Sequence, residues 1–163
     1  MIKTYREGAV GALLDEYERA INDLQQVIAD ISDDELITII DAETSDSNCK
    51  SIQTILAHVV SAGLAYATDI RQFLGENIDY PDNLLRLTVN DYHKDLNSFF
   101  LFTVETFKNI KDNQLEEFDN TKKINTSWGQ VYDIEQIMEH AIVHVMRHRR
   151  QIEKFKIILR GLE

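Results

Sequence analysis

The chain has 163 residues, 44% hydrophobic and 28% charged, the ordinary size and composition of one globular domain spanning residues 1–163. Its 28 Asp and Glu against 17 Lys and Arg give a net charge of −11, which repels phosphate backbones and anionic lipid and excludes nucleic acid and membrane as broad-face partners. One cysteine excludes a disulfide framework or a Cys-rich zinc module, no run approaches a membrane span, and Met1–Gly11 holds no apolar stretch of signal-peptide length, so the expected compartment is the reducing cytoplasm.

With one Pro and six Gly, long uninterrupted helices are expected. Val10, Leu13, Leu14, Tyr17, Ile21, Leu24 and Ile28 recur at helical spacing and predict a first helix from Tyr5 to Ile28. Ser32-Asp33-Asp34-Glu35 reads as a capping box opening a short helical turn, and Asp41 to Lys50 reads as loop. The second helix is predicted from Ser51 to Leu74, with Gly75 in the terminating position. After Pro81, the residues Leu85, Val89, Tyr92, Leu96, Phe99, Val104, Phe107 and Ile110 predict a third helix from Asn83 to Ile110. Lys111 to Tyr132 is polar and irregular, with room for a short extended pair. Asp133, with Gln136 three residues on, caps a fourth helix that runs to Leu159, just before Gly161.

The connection between the second and third helices reads as short, which predicts antiparallel neighbours. The other two are each about twenty residues, longer than a hairpin needs. Two long crossovers imply an all-α four-helix bundle in up-up-down-down order.

Three of the five histidines, His140, His144 and His148, sit on the fourth helix at four-residue intervals. A step of four turns a helix by about 40° and rises about 6 Å, so an i, i+4 pair can close on one metal ion. On a helical wheel His148 falls inside the apolar arc of Ile137, Ala141, Val145, Ile152, Phe155 and Leu159, His144 falls at its edge, and His140 outside. The bundle-facing pair is therefore His144 and His148, with His140 flanking. His58 is the best candidate for a third ligand. It lies at the edge of the second helix's stripe beside Thr54, Ser61, Ala62 and Ala65, whose small side chains leave room for water or substrate, and three protein ligands with an open side is the catalytic pattern. His93 is expected to face solvent.

Each signal also has a plainer reading. An isolated H-x-x-x-H in a helix usually binds nothing, and a lone core-edge His is usually just hydrogen-bonded. Gln151, Glu139 or Asp69 can hold the second nitrogen of a ligating ring, although Asp69 is far along its helix and reads better as a solvated residue. Arg147 and Arg150 can bind carboxylates or simply be a solvated helix face. Trp128 can cover a pocket, and a loop anchor is the simpler role. Cys49 has only Lys50 nearby to activate it and is not read as a nucleophile. A zinc protease is disfavoured because Val and Met stand between His144 and His148 where that helix needs its Glu, and a di-iron site because no inward Glu-x-x-His recurs.

His144-Val-Met-Arg-His148-Arg149-Arg150-Gln151, the preceding Thr126-Ser127-Trp128-Gly129 stretch and the Ser51-to-His58 segment together resemble the DinB/YfiT-like superfamily, in order and spacing over essentially the whole chain. Arg150 departs from that family's usual Gly. The resemblance implies an up-up-down-down four-helix bundle holding a divalent metal, nickel or zinc, on three histidines that map to His58, His144 and His148. It further implies a homodimer acting on a small-molecule substrate, with a low-molecular-weight thiol as cosubstrate. Relatives include bacillithiol S-transferases and mycothiol-dependent maleylpyruvate isomerase, so a thiol S-transferase or a hydrolase-like activity is expected. The rival reading is a non-catalytic, metal-binding or dimerising stress-response bundle.

Overall fold

The computed structural model describes residues 4–161. Five α-helices carry the fold: α1 (Gly8–Ile28), α2 (Asp33–Ile37), α3 (Ile52–Phe73), α4 (Val89–Phe107) and α5 (Ile134–Arg160). A two-stranded antiparallel ladder, β1 (Ile124–Asn125) with β2 (Val131–Tyr132), precedes α5 and realises the expected extended pair. Local chemistry starts α2, α3 and α5 where the sequence places them, whereas α1 begins at Gly8 and not at Tyr5. Ser32 and Glu35 form the capping box of α2, Ser51 Oγ accepts from Thr54 N ahead of α3, and Asp133 and Gln136 cap α5 reciprocally. Gly75 follows α3 with φ of 93° and Gly161 ends α5 with φ of 61°, both in the left-handed region where a Cβ is strained. Among the described residues no helix is long and apolar enough to cross a membrane.

The all-α four-helix bundle is as expected, but the helix directions are not. Along α3 and α4, Tyr92 donates to Gln53 O, Gly63 abuts the Phe99 ring, and Arg71 Nε donates to Thr106 Oγ1, so the two helices run parallel. In α1, Tyr17 packs on Phe99 and Phe100 while Gln25 reaches back to Asn97, so α1 opposes α4. Arg149 pairs with Asp23 and Lys156 donates to Val27 O, so α5 parallels α1. His58 meets His148 while Tyr66 meets His140, so α5 opposes α3. The order is up-down-down-up.

The physical reason lies in residues 74–88. The α4 helix begins at Val89, not at Asn83, because Thr88 Oγ1 accepts from Asp91 N and Asp33 Oδ1 accepts from Val89 N. The apolar run ahead of it is not helical, and Leu84, Leu85 and Leu87 are exposed. The supposedly short connection is thus the one that traverses the bundle. It returns along α3 through Gln72 to Ile78 O, Tyr80 to the Asp69 carboxylate, and Gln53 to Arg86 O. Fifteen extended residues reach about 50 Å, ample for the roughly 33 Å length of α3. Each longer connection begins and ends at one end of the bundle, where it links helices that lie diagonally across the core, α1 with α3 and α4 with α5.

One apolar cluster fills the interior, with Tyr17, Tyr92, Phe99, Leu24 and Ile28 among its fully buried members. The parallel α3–α4 contact is tight at Gly63, where an added Cβ would sit 2.7 Å from the Phe99 ring. Gly63→Ala should therefore lower stability by about 1–3 kcal/mol through overpacking, read as a lower urea midpoint at unchanged slope.

Candidate metal centre

The second and last long helices bring three rings together. His58 Nε2 lies 3.0 Å from His144 Nε2, and the ring centroids of His58, His144 and His148 are 4.4 to 5.1 Å apart. One nitrogen from each ring can be chosen so that all three lie within 4.8 Å of one another, close enough to hold a metal ion. Helix geometry explains the convergence: His144 and His148 stack one turn apart on α5, and the opposed α3 sets His58 across from them. His148 and His144 are buried at 2% and 8% exposure and His58 is half-buried, the ranking the wheel gives for the α5 pair.

The second ring nitrogens decide which atoms face inward. His148 Nδ1 lies 3.1 Å from Gln151 Oε1, so Nδ1 carries the proton and Nε2 keeps its lone pair. His148 Nε2 is buried and has no hydrogen-bond partner. His144 Nδ1 is also buried without one, so neither Glu139 nor Asp69 holds that ring. Asp69 is buried, against expectation, and its carboxylate receives the Tyr80 hydroxyl. His93 is half-buried on α4 and stands outside the cluster.

Burial pushes all three ring pKa values down, because a charged imidazolium loses its hydration there. For His144 the neighbouring His148 and His58 rings add to the effect, and Arg147 depresses each member of the trio further. His148 falls to about 4, with Gln151 working against the drop. The rings are neutral at neutral pH, the form that donates a lone pair to a cation.

An aromatic wall stands on one side. His140 is half-buried and stacks on Trp128 at 5.1 Å, and Tyr66 meets Trp128, His140 and His144 edge-on at 5.6 to 5.8 Å. Trp128 thus anchors the β1–β2 turn to the bundle while flanking the histidines. A cavity of about 440 Å³ opens between Tyr132, His140, Val143, His144 and Arg147. A second, of about 540 Å³, opens on the other side of Arg147, against His148, Gln151 and Cys49.

Cys49 is the residue whose place sequence reasoning missed. A turn of 3-10 helix, Ser47–Cys49, carries it to the mouth of the site. There its thiol contacts Asp46 Oδ2 at 3.3 Å and Gln151 Oε1 at 3.7 Å, sharing the oxygen that orients His148. Burial holds the thiol above its ordinary pKa, so it stays protonated, as the sequence suggested.

The buried rings have a consequence for stability without any cation. In the unfolded chain they titrate near about 6.5, whereas in the fold they do so lower. Below about 6.5 the unfolded chain takes up protons that the folded one refuses, so the contribution is whole above that pH and is lost as pH falls, through about 4 for His148 and lower still for His144. Urea unfolding in chelator should show this decline, and His148→Gln should flatten it relative to the unaltered protein.

Residues 1–155 match the family model described as the DinB family. No curated protein matches the chain. A match of that length, on a helical bundle with three converging histidines, means that the chain belongs to the DinB family.

Proposed function

We propose that this protein is a metal-dependent enzyme whose His58, His144 and His148 hold a divalent cation, zinc or nickel, beside two substrate-sized cavities. The observation that carries the reading is the trio itself, with His148 Nε2 buried, unpartnered and among the three rings. The donor set fits such an ion: neutral imidazoles suit zinc and nickel, and three nitrogens leave coordination positions open. A cation bound there supplies Lewis acidity, which lowers the pKa of a thiol or a water and stabilises the resulting anion.

The chain's own groups do the rest. Gln151 Oε1 accepts the His148 Nδ1 proton and fixes that ring's tautomer and aim. The aromatic wall of Tyr66, Trp128 and His140 limits water on one side of the trio. Both cavities lie in the size range of small-molecule sites. The proposed reaction is S-transfer. The sulfur of a low-molecular-weight thiol forms a bond to an electrophilic carbon, and the carbon's leaving group departs with the displaced electron pair. Hydrolysis is the same chemistry with water as nucleophile. The family resemblance supports the thiol. A homodimer working in the cytoplasm on a small molecule completes the proposal.

Elemental analysis of protein purified without a His-tag tests the site. The unaltered chain, His140→Ala and His93→Ala should carry stoichiometric metal, and His58→Ala, His144→Ala and His148→Ala should not. Equal metal content in all six would refute the assignment. Gln151→Leu should keep the ligands but weaken metal binding by about 10- to 100-fold in a chelator competition, because the His148 ring loses its hold. Metal at about a hundred times its Kd should raise the unfolding free energy by about 2.7 kcal/mol, and His58→Ala should abolish the gain.

A further inference from the structure

The α5 helix carries two arginines without an ion pair beside the histidines. Arg6, Arg19, Arg71, Arg86, Arg149 and Arg160 each pair with a carboxylate. Arg147 and Arg150 are the arginines that remain, and no described carboxylate lies within ion-pair distance of either. In a chain with 28 acidic residues, two free guanidinium groups on one helix face are conspicuous. Lys154, one turn on from Arg150, also lacks an ion pair. Positions 147, 150 and 154 fall within about 60° of helix surface, so their side chains share one side. All three line the 540 Å³ cavity whose floor includes His148 and Gln151.

The opposite wall is the loop of residues 41–49, which contributes Asp41 and Asp46. Both carboxylates are engaged locally. Asp41 Oδ1 accepts from Thr44 N, and Asp46 accepts from Asn48 N and the Cys49 thiol. Three cations facing two occupied carboxylates leave the cavity with a small positive excess. That excess suits one carboxylate better than a doubly charged phosphate. The planar forks of Arg147 and Arg150 match a carboxylate's two oxygens.

We propose that this cavity is a carboxylate-binding subsite, in which Arg147 and Arg150, aided by Lys154, hold the anionic end of a small substrate next to the three histidines. The subsite deepens the enzymatic reading and rests on it for the identity of the reacting centre, but the anion contacts belong to the arginines. Arg147 lines both cavities, so a molecule anchored there extends along either side of the trio.

Succinate, titrated calorimetrically at constant ionic strength against chloride, is the probe. Saturable binding is expected, weakened on the order of tenfold by Arg147→Gln and by Arg150→Gln. Lys111→Gln, an unpaired lysine on the α4–α5 connection, should change nothing. Succinate that binds no better than chloride, or an equal loss in Lys111→Gln, would overturn the subsite. Inorganic phosphate binding more tightly than succinate would overturn the carboxylate assignment. His58→Ala removes a proposed metal ligand and leaves the arginines, so it should retain succinate. Loss of succinate in that variant would place the anion on the metal centre and sink the arginine subsite. Retention there, alongside metal-free unaltered protein, would support the subsite while defeating the metal reading.

Discussion

Burying three imidazoles together costs each of them hydration, and two of their nitrogens, His144 Nδ1 and His148 Nε2, bond to no protein group. The cost is concentrated where three imidazoles crowd together, and it is what makes the cluster chemically ready. Exclusion of water keeps the rings neutral, so their lone pairs are free for a cation. Gln151 removes the ambiguity at His148 by taking the proton on the far side. Stability is given up locally for a fixed set of donors, and the apolar cluster around Tyr17, Leu24 and Phe99 supplies the surplus that makes this affordable.

The donors converge because of the helix directions. His58 can face a pair on α5 only if α3 and α5 run side by side. With α3 and α4 parallel, the traverse between them occupies the outer side of α3. Its irregular chain is tied down by Gln53, Gln72 and Asp69. The two longer connections stay at the bundle ends and do different work. Residues 29–51 deliver Asp46 and Cys49 to one side of the histidines, and residues 108–133 deliver Trp128 and Tyr132 to the other.

Much of this is readable from residues. Caps at Ser32, Ser51 and Asp133 and the glycines after α3 and α5 are local signals, and local chemistry decides them. The histidine geometry is readable for the same reason: helix period and apolar stripe together fix which ring faces inward. The helix directions are not readable, because Leu85 falls in phase with Val89, Tyr92 and Leu96 and extends their stripe, although it is exposed and outside the helix. A competing cap at Thr88, reinforced by the distant Asp33, wins in the fold. Asp69 misleads for a similar reason. Its partner Tyr80 lies on the traverse, and a residue's burial depends on what crosses over it. Cys49 looks inert in isolation, since nothing in sequence joins it to Gln151 across about a hundred intervening residues.

The parallel contact of α1 with α5 gives the molecule a temporal order. The first helix finds a main neighbour in the last one, held by Arg149 to Asp23 and by Lys156 and Arg160 to Asp30. On the ribosome, α1, α3 and α4 emerge with a strip of their apolar surface uncovered, and they stay so until residue 160 has left the exit tunnel. The same wait applies to His58, translated long before His144 and His148. Until both have emerged, a nascent chain lacks the complete donor set.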